Sequence, residues 1–269
     1  MKNAILFSAL ISLGMAGPLS AQSGFKEPVT AQVLPGWVKT DGTRVAALHL
    51  SLAPGWKTYW RAPGDAGIPP AFDWAGSSNL SSVGISWPAP SVFDQNGMRS
   101  IGYENELIIP LTITPRSPGK PVRLSVDMDL GVCSDICVPY ELEFEATLDS
   151  DASRPTPAIA AALAQMPYSA REAGVTSATC RVEPTEDGIR LEARVSMPSA
   201  GGQEVAVIEP GVPGVWVSEA DTRRNGNSVV AVSEMIHADG GAIALDRKAI
   251  RITVLGSSHA VDIQGCTPG

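Results

Sequence analysis

Apolar and polar residues alternate with a period of two along much of this chain, the pattern of strands with one face on a core. Val122, Leu124, Val126 and Met128 alternate with Arg, Ser and Asp. Leu142, Phe144, Ala146 and Leu148 do so with Glu and Thr, and Ile189, Leu191, Ala193, Val195 and Met197 with Arg, Glu and Ser. Apolar runs at 29–34, 43–52, 85–87, 107–113, 205–208, 215–217, 229–235, 243–245 and 249–255 predict further strands. Pro35-Gly36, Asp41-Gly42 and Pro118-Gly119 are turn signals between them. Residues 93–103 read as a Gly-containing loop. Only 157–166, with Pro157 at a first-turn position, has helical composition. Many short strands with closely spaced turns predict an all-β chain of sandwich type.

The expected organisation is a leader at 1–21, a first β-sandwich at 24–150, a linker with one helix at 151–171, and a second β-sandwich at 172–269. The leader expectation rests on Lys2, an apolar run from Ala4 to Leu13 and a Leu-Ser-Ala end at Ala21. That run falls short of the roughly 20 residues of a membrane span. A soluble exported protein is therefore expected.

Net charge is −8, and Arg223-Arg224 and Arg247-Lys248 are isolated basic pairs. Nucleic acid is excluded as an expected partner, because phosphate contacts need clustered cations. The four cysteines suit two disulfides in an oxidising compartment, with three possible connectivities.

Spacing favours Cys133 with Cys137 and Cys180 with Cys266. Closing about five residues between the first two is worth only about 2 kcal/mol in chain entropy, against about 4.6 kcal/mol for the long second loop. A short closure fits a bond that opens and closes, and a long one fits a staple. Cys133 and Cys137 stand between two strand patterns, so the pair is expected at a turn. Their sequence neighbours Asp127, Asp129, Asp135 and Glu141 are all acidic. Negative charge disfavours a thiolate, which predicts a pair that reacts fast only with a docked partner.

Other chemistries have less support. His49, His237 and His259 are scattered, two thiolates fall short of a zinc site, and no GxSxG occurs. Neither a metal site nor a cofactor is expected, although two soft thiolates could carry Cu(I). Residues 55–74, rich in Trp, Pro and Gly, read either as a packed loop with Trp56, Trp60 and Trp74 in the core or as a recognition wall beside the thiols.

Three segments in order, 55–74, YENELIIPLTI at 103–113 and GVCSDICVP at 131–139, resemble the N-terminal periplasmic domain of DsbD, and more closely the ScsB proteins linked to copper tolerance. The resemblance implies an immunoglobulin-like domain acting as a periplasmic thiol–disulfide oxidoreductase of the protein-disulfide reductase type. Electrons would come from a membrane-embedded DsbD/CcdA-like donor and pass to thioredoxin-like or other disulfide-bearing proteins of the periplasm. Cys137 would attack and Cys133 would resolve. A cap loop shields the pair in DsbD, and Phe93, Met98 and Tyr103 are its candidates here. The chain departs from those proteins in cysteine spacing, and as a relay it is expected to rely on separate proteins for their transmembrane and thioredoxin-like parts. A copper-handling protein or a non-catalytic adaptor are the alternative readings.

Overall fold

The computed structural model describes residues 27–64, 67–95, 98–149 and 154–269; the expected leader lies outside them. The first half contains β1 (Val29–Val38), β2 (Arg44–Leu52), β3 (Lys57–Tyr59), β4 (Ala71–Asp73), β5 (Leu80–Ile85), β6 (Ser91–Gln95), β7 (Met98–Glu104), β8 (Glu106–Pro115), β9 (Val122–Cys133) and β10 (Cys137–Leu148). One sheet runs β1-β2-β8-β5, and the other runs β10-β9-β3-β7-β6 with β4 also paired to β9. Alternate residues of each sheet meet between them. Leu48, Leu50, Ile109 and Leu111 come from the first sheet, and Leu124 and Leu130 from the second, all fully buried.

The second half contains α1 (Pro157–Ala164), β11 (Tyr168–Ser169), β12 (Ser177–Pro184), β13 (Ile189–Ser196), β14 (Val205–Glu209), β15 (Val215–Val217), β16 (Asp221–Asn225), β17 (Ser228–His237), β18 (Arg251–Leu255), β19 (Ala260–Gln264) and β20 (Thr267–Pro268). Its sheets run β11-β19-β18-β14 and β15-β17-β13-β12-β20, with β16 beside β17. The chain is thus all-β apart from one short helix, in two immunoglobulin-like sandwiches. The helix covers the outer face of the first sheet, where Ile159 packs on Val45 and Ala47. Gly36 leaves room for both neighbours, since a Cβ there would lie 2.3 Å from the Val45 carbonyl oxygen of β2 and 3.1 Å from Ile159 Cδ1 of the helix.

Several sequence expectations needed correction. Residues 93–103 are largely strand: β6 and β7 pair antiparallel, with Gln95 opposite Met98. The overlooked signal was the Asn96-Gly97 dipeptide, a strong hairpin marker. Residues 243–245 form no strand, and β5 ends at Ile85, where a strand was expected to begin. Tyr168 and Ser169, expected in the linker, pair in parallel with Val261 and Asp262 and so complete a sheet of the second sandwich.

The two sandwiches share apolar packing. Val205, Leu255 and Ala260 of the second join the buried cluster of the first. Arg61 donates to both carboxylate oxygens of Glu209 at 3.0 and 2.9 Å, and its guanidinium lies 4.0 Å over the Trp60 ring. Among the described residues no helix is long and apolar enough to cross a membrane.

Candidate functional site

β9 ends at Cys133 and β10 begins at Cys137, and the hairpin register sets the two directly opposite each other. Side chains of opposed residues share a face, so the sulfurs meet, at 2.02 Å with the Cα atoms 4.0 Å apart. Three residues make the turn, closed by the Ser134 amide donating to the Ile136 carbonyl at 3.1 Å. Val138, Tyr140, Leu142 and Phe144 point to the core, which leaves Cys137 on the outer face of the sheet.

The two sulfurs have different surroundings. Cys133 is buried and Cys137 exposed. Both Cys133 and Tyr59 are buried apart from the main cluster. Tyr59 is covered from outside by the segment after β3. A Cβ on Gly131 would fall 2.7 Å from the Tyr59 ring and 2.8 Å from Ile68 Cβ, and one on Gly67 would fall 2.9 Å from Tyr59. Gly131 therefore leaves the space the phenol ring occupies. Trp60 is fully buried and Trp56 and Trp74 pack against the core, as the packed-loop reading has it, while Ile68 stands over the thiol strand.

Tyr59 Oη donates to Cys137 Sγ at 3.1 Å. Burial pushes the Tyr59 phenol up from its ordinary pKa, so it remains a donor at neutral pH. Its neighbour Thr58 faces the other way and donates to the Gly131 carbonyl at 2.9 Å, fixing β3 against β9. Lys57, next along, pairs in register with Cys133. Its ammonium lies 4.3 Å from the Phe93 ring centroid. The immediate sequence around the cysteines is acidic, but the fold adds a hydroxyl donor and a cation from β3.

The three cap candidates separate. Phe93 approaches the site through Lys57. Met98 is exposed at the end of the β6–β7 hairpin. Tyr103 is buried, its hydroxyl donating to the Pro88 carbonyl at 2.7 Å and its pKa driven up by burial. It anchors the hairpin base from within the core and does not cover the sulfurs.

Further along the same face, Asp129 opposes Glu141 and Asp127 opposes Glu143, all exposed. Directly opposed like charges are unfavourable in a sheet, so this face is charged at some cost to stability. Cys180 and Cys266 form the other bridge, at 2.04 Å. Cys180 is fully buried, and Arg247 donates to its carbonyl at 3.3 Å. His49 pairs with Glu106 at 2.6 Å on the first sheet, remote in the fold from His237 and His259. Among the described residues no group of three or more His, Cys, Asp or Glu is placed to hold a metal ion.

Residues 28–149 match the family described as thiol:disulfide interchange protein DsbD, N-terminal. The first sandwich is a DsbD-type N-terminal domain. The whole chain is similar in fold to the N-terminal periplasmic domain of ScsB from Proteus mirabilis, with a TM-score of 0.67 and 21% identity. That match covers 90% of this chain and 95% of the other. The Neisseria meningitidis DsbD N-terminal domain in its reduced form aligns with 46% of this chain and 90% of its own, at 16% identity and a TM-score of 0.27. No curated protein matches the chain. In the DsbD-type domain described here, the disulfide, Tyr59 and Lys57 lie on neighbouring strands of one sheet face.

Proposed function

We infer that this protein carries out thiol–disulfide interchange through Cys133 and Cys137. The observation that carries the reading is the asymmetry of the pair: Cys137 is exposed and accepts a hydrogen bond from Tyr59, whereas Cys133 is buried. An exchange reaction needs one sulfur a partner can reach and one that only its neighbour can reach.

In the reduced state the Cys137 thiolate attacks one sulfur of a partner's disulfide. The partner's second sulfur leaves as a thiolate, and a mixed disulfide joins Cys137 to the partner. The Tyr59 hydroxyl favours the ionised form of Cys137 by donating to it. Cys133 then attacks Cys137 Sγ, restores the internal bridge and releases the reduced partner. Two electrons have moved from this protein to the partner. A membrane thiol carrier recharges the pair by the reverse sequence, and the acceptors are disulfide-bearing proteins of the periplasm.

Ile136, in the turn between the two cysteines, and Ile68, over Gly131 of β9, are exposed apolar side chains beside the hairpin that carries the accessible sulfur. An apolar rim of this kind is covered when a partner docks. The second sandwich holds the segment after β3 in place through Arg61 and Glu209, and so supports the wall over Tyr59.

Trapping tests the reading. In Cys133→Ser protein the resolving step is lost, so Cys137 is expected to accumulate a mixed disulfide with its partner, identifiable by mass spectrometry. Cys137→Ser protein is expected to trap none. If Cys133→Ser protein, reduced and mixed with periplasmic extract, yields no Cys137 adduct, the exchange reading fails.

A further inference from the structure

We propose that Lys57 is a positioning residue for the resolving half of the exchange, one that stabilises the Cys133 thiolate when the disulfide is open. This rests on the exchange reading above and adds to it a residue outside the cysteine hairpin.

The argument begins with burial. Cys133 is 7% exposed, whereas Cys137 is open to solvent. Burial raises a thiol's pKa, because the ionised form loses its hydration. The resolving sulfur is thus the one the fold makes harder to ionise. Yet it must attack as a thiolate to break the Cys137–partner bond. The acids nearby oppose ionisation further: Asp135 is in the turn, and Asp129 lies four residues earlier on β9 with Glu141 opposite it. The Tyr59 hydroxyl is directed at Cys137 and gives Cys133 no hydrogen bond.

Lys57 supplies the compensating charge. Its backbone pairs directly with Cys133 across β3 and β9, so the two side chains leave the sheet on the same face. Its other register neighbour is Glu104 on β7, which is exposed. Lys57 is half-buried, and its ammonium rests on the Phe93 ring at 4.3 Å. With the disulfide closed there is no anion at Cys133, and the ring face holds the cation through its quadrupole. When the bridge opens and Cys133 ionises, the flexible four-carbon stem lets the ammonium turn to the neighbouring sulfur. A full charge in a partly desolvated site then outweighs the ring contact.

The step balances. The Cys133 thiol loses its proton to solvent, and the thiolate, held by Lys57, attacks Cys137 Sγ. The Cys133–Cys137 bond forms as the Cys137–partner bond breaks. The electron pair leaves on the partner's sulfur, which takes up a proton from water. Lys57 transfers nothing and remains an ammonium throughout.

The test uses the full chain with Cys137→Ser, which leaves Cys133 as the one thiol and keeps the Cys180–Cys266 bridge. Its ionisation is followed by the Cβ chemical shift of Cys133 against pH, an NMR readout that also reports whether each variant is folded. Lys57→Met is expected to lower the thiolate population at neutral pH about tenfold, and Lys57→Arg to restore most of it. In protein with both cysteines, the mixed disulfide formed from glutathione disulfide is expected to resolve about tenfold more slowly with Lys57→Met. An unchanged Cys133 titration in Lys57→Met overturns the proposal, as does an equal effect from Lys57→Arg, which would make the role one of shape. None of these measurements uses a physiological partner, so a failed partner trap and a failed Lys57 titration are separate results.

Discussion

Arg61 of the first sandwich grips Glu209 of the second through two parallel hydrogen bonds, at 3.0 and 2.9 Å, with both side chains largely buried. Arg61 begins the segment that covers Tyr59, so an inter-domain contact sits two residues from the phenol that touches Cys137 Sγ. Bidentate, charge-assisted pairs of this kind exceed ordinary surface pairs in strength. A double-mutant cycle of Arg61→Met and Glu209→Gln is expected to give a coupling of about 1–3 kcal/mol in thermal or denaturant unfolding. Either single variant is also expected to speed amide exchange at Ala62, Gly64, Gly67 and Ile68. Exchange rates that stay at the wild-type value would mean that the second sandwich does not hold this segment.

Tyr59→Phe keeps the ring over Gly131 and removes only the donor to Cys137. Hydrogen bonds to a charged group contribute about 1.5–3 kcal/mol. The variant is therefore expected to hold about tenfold less Cys137 thiolate at neutral pH, with unfolding nearly unchanged. Alkylation of reduced protein against pH measures this, and an unaltered profile would remove Tyr59 from the chemistry.

Gly131→Ala acts on the same contact by crowding. The added methyl would lie 2.7 Å from two ring atoms of Tyr59 and 2.8 Å from Ile68, so the ring must move off the sulfur. Loss of stability typical of overpacking, about 1–3 kcal/mol, is expected together with the Tyr59→Phe titration. Glycine-like behaviour in both assays would contradict the packing described.

Glu204 gives the second sandwich an acid-sensitive point. Burial pushes its carboxyl up, but Arg224 on both oxygens at 2.7 Å, the Ala200 amide at 2.7 Å and Ser199 outweigh this and hold it below the ordinary 4.5. A carboxylate with a depressed folded pKa stabilises the fold fully above its unfolded value, and that contribution is lost as pH falls through the folded value. Below about pH 4.5 the wild type is thus expected to lose stability faster than Glu204→Gln. At neutral pH that variant is expected to be less stable by about 1–3 kcal/mol, because Arg224 loses its counter-charge while keeping its hydrogen bonds to the Met197, Pro198 and Gly226 carbonyls. Parallel acid titrations of the two melting temperatures would argue against this.

The two disulfides are expected to behave differently on removal. Replacing Cys180 and Cys266 by Ser is predicted to cost about 2–5 kcal/mol, since the bridge spans 86 positions and Cys180 is fully buried. Replacing Cys133 and Cys137 by Ser removes a bridge of sequence separation 4 and is expected to cost far less in unfolding while abolishing exchange. Equal losses in both variants would undo the distinction between staple and working bond.

The sequence made some of this legible and hid the rest for identifiable reasons. Strands such as β9 and β13 were readable because each has one face on a core, so their alternation is clean. The β6–β7 hairpin is hard to read because Ser91, Asp94 and Arg99 dilute that pattern, although the sequence carries an Asn-Gly dipeptide, a hairpin signal, between the two runs. The cysteine spacing pointed to a hairpin, but not to what would lie across the sheet from it. Lys57 and Tyr59 stand more than seventy residues before the cysteines, and only the pairing of β3 with β9 joins them to the site. Tyr103 was misplaced as a possible cover because its aromatic ring is equally at home in a core, where it lies.

The Cys133–Cys137 bridge lies outside the layer of side chains that keeps the two sheets together. Reducing it removes no contact between Leu124, Leu130 and the opposing Leu48 and Ile109. Breaking it is therefore expected to leave the sandwich folded, so an exchange at this site would require no refolding.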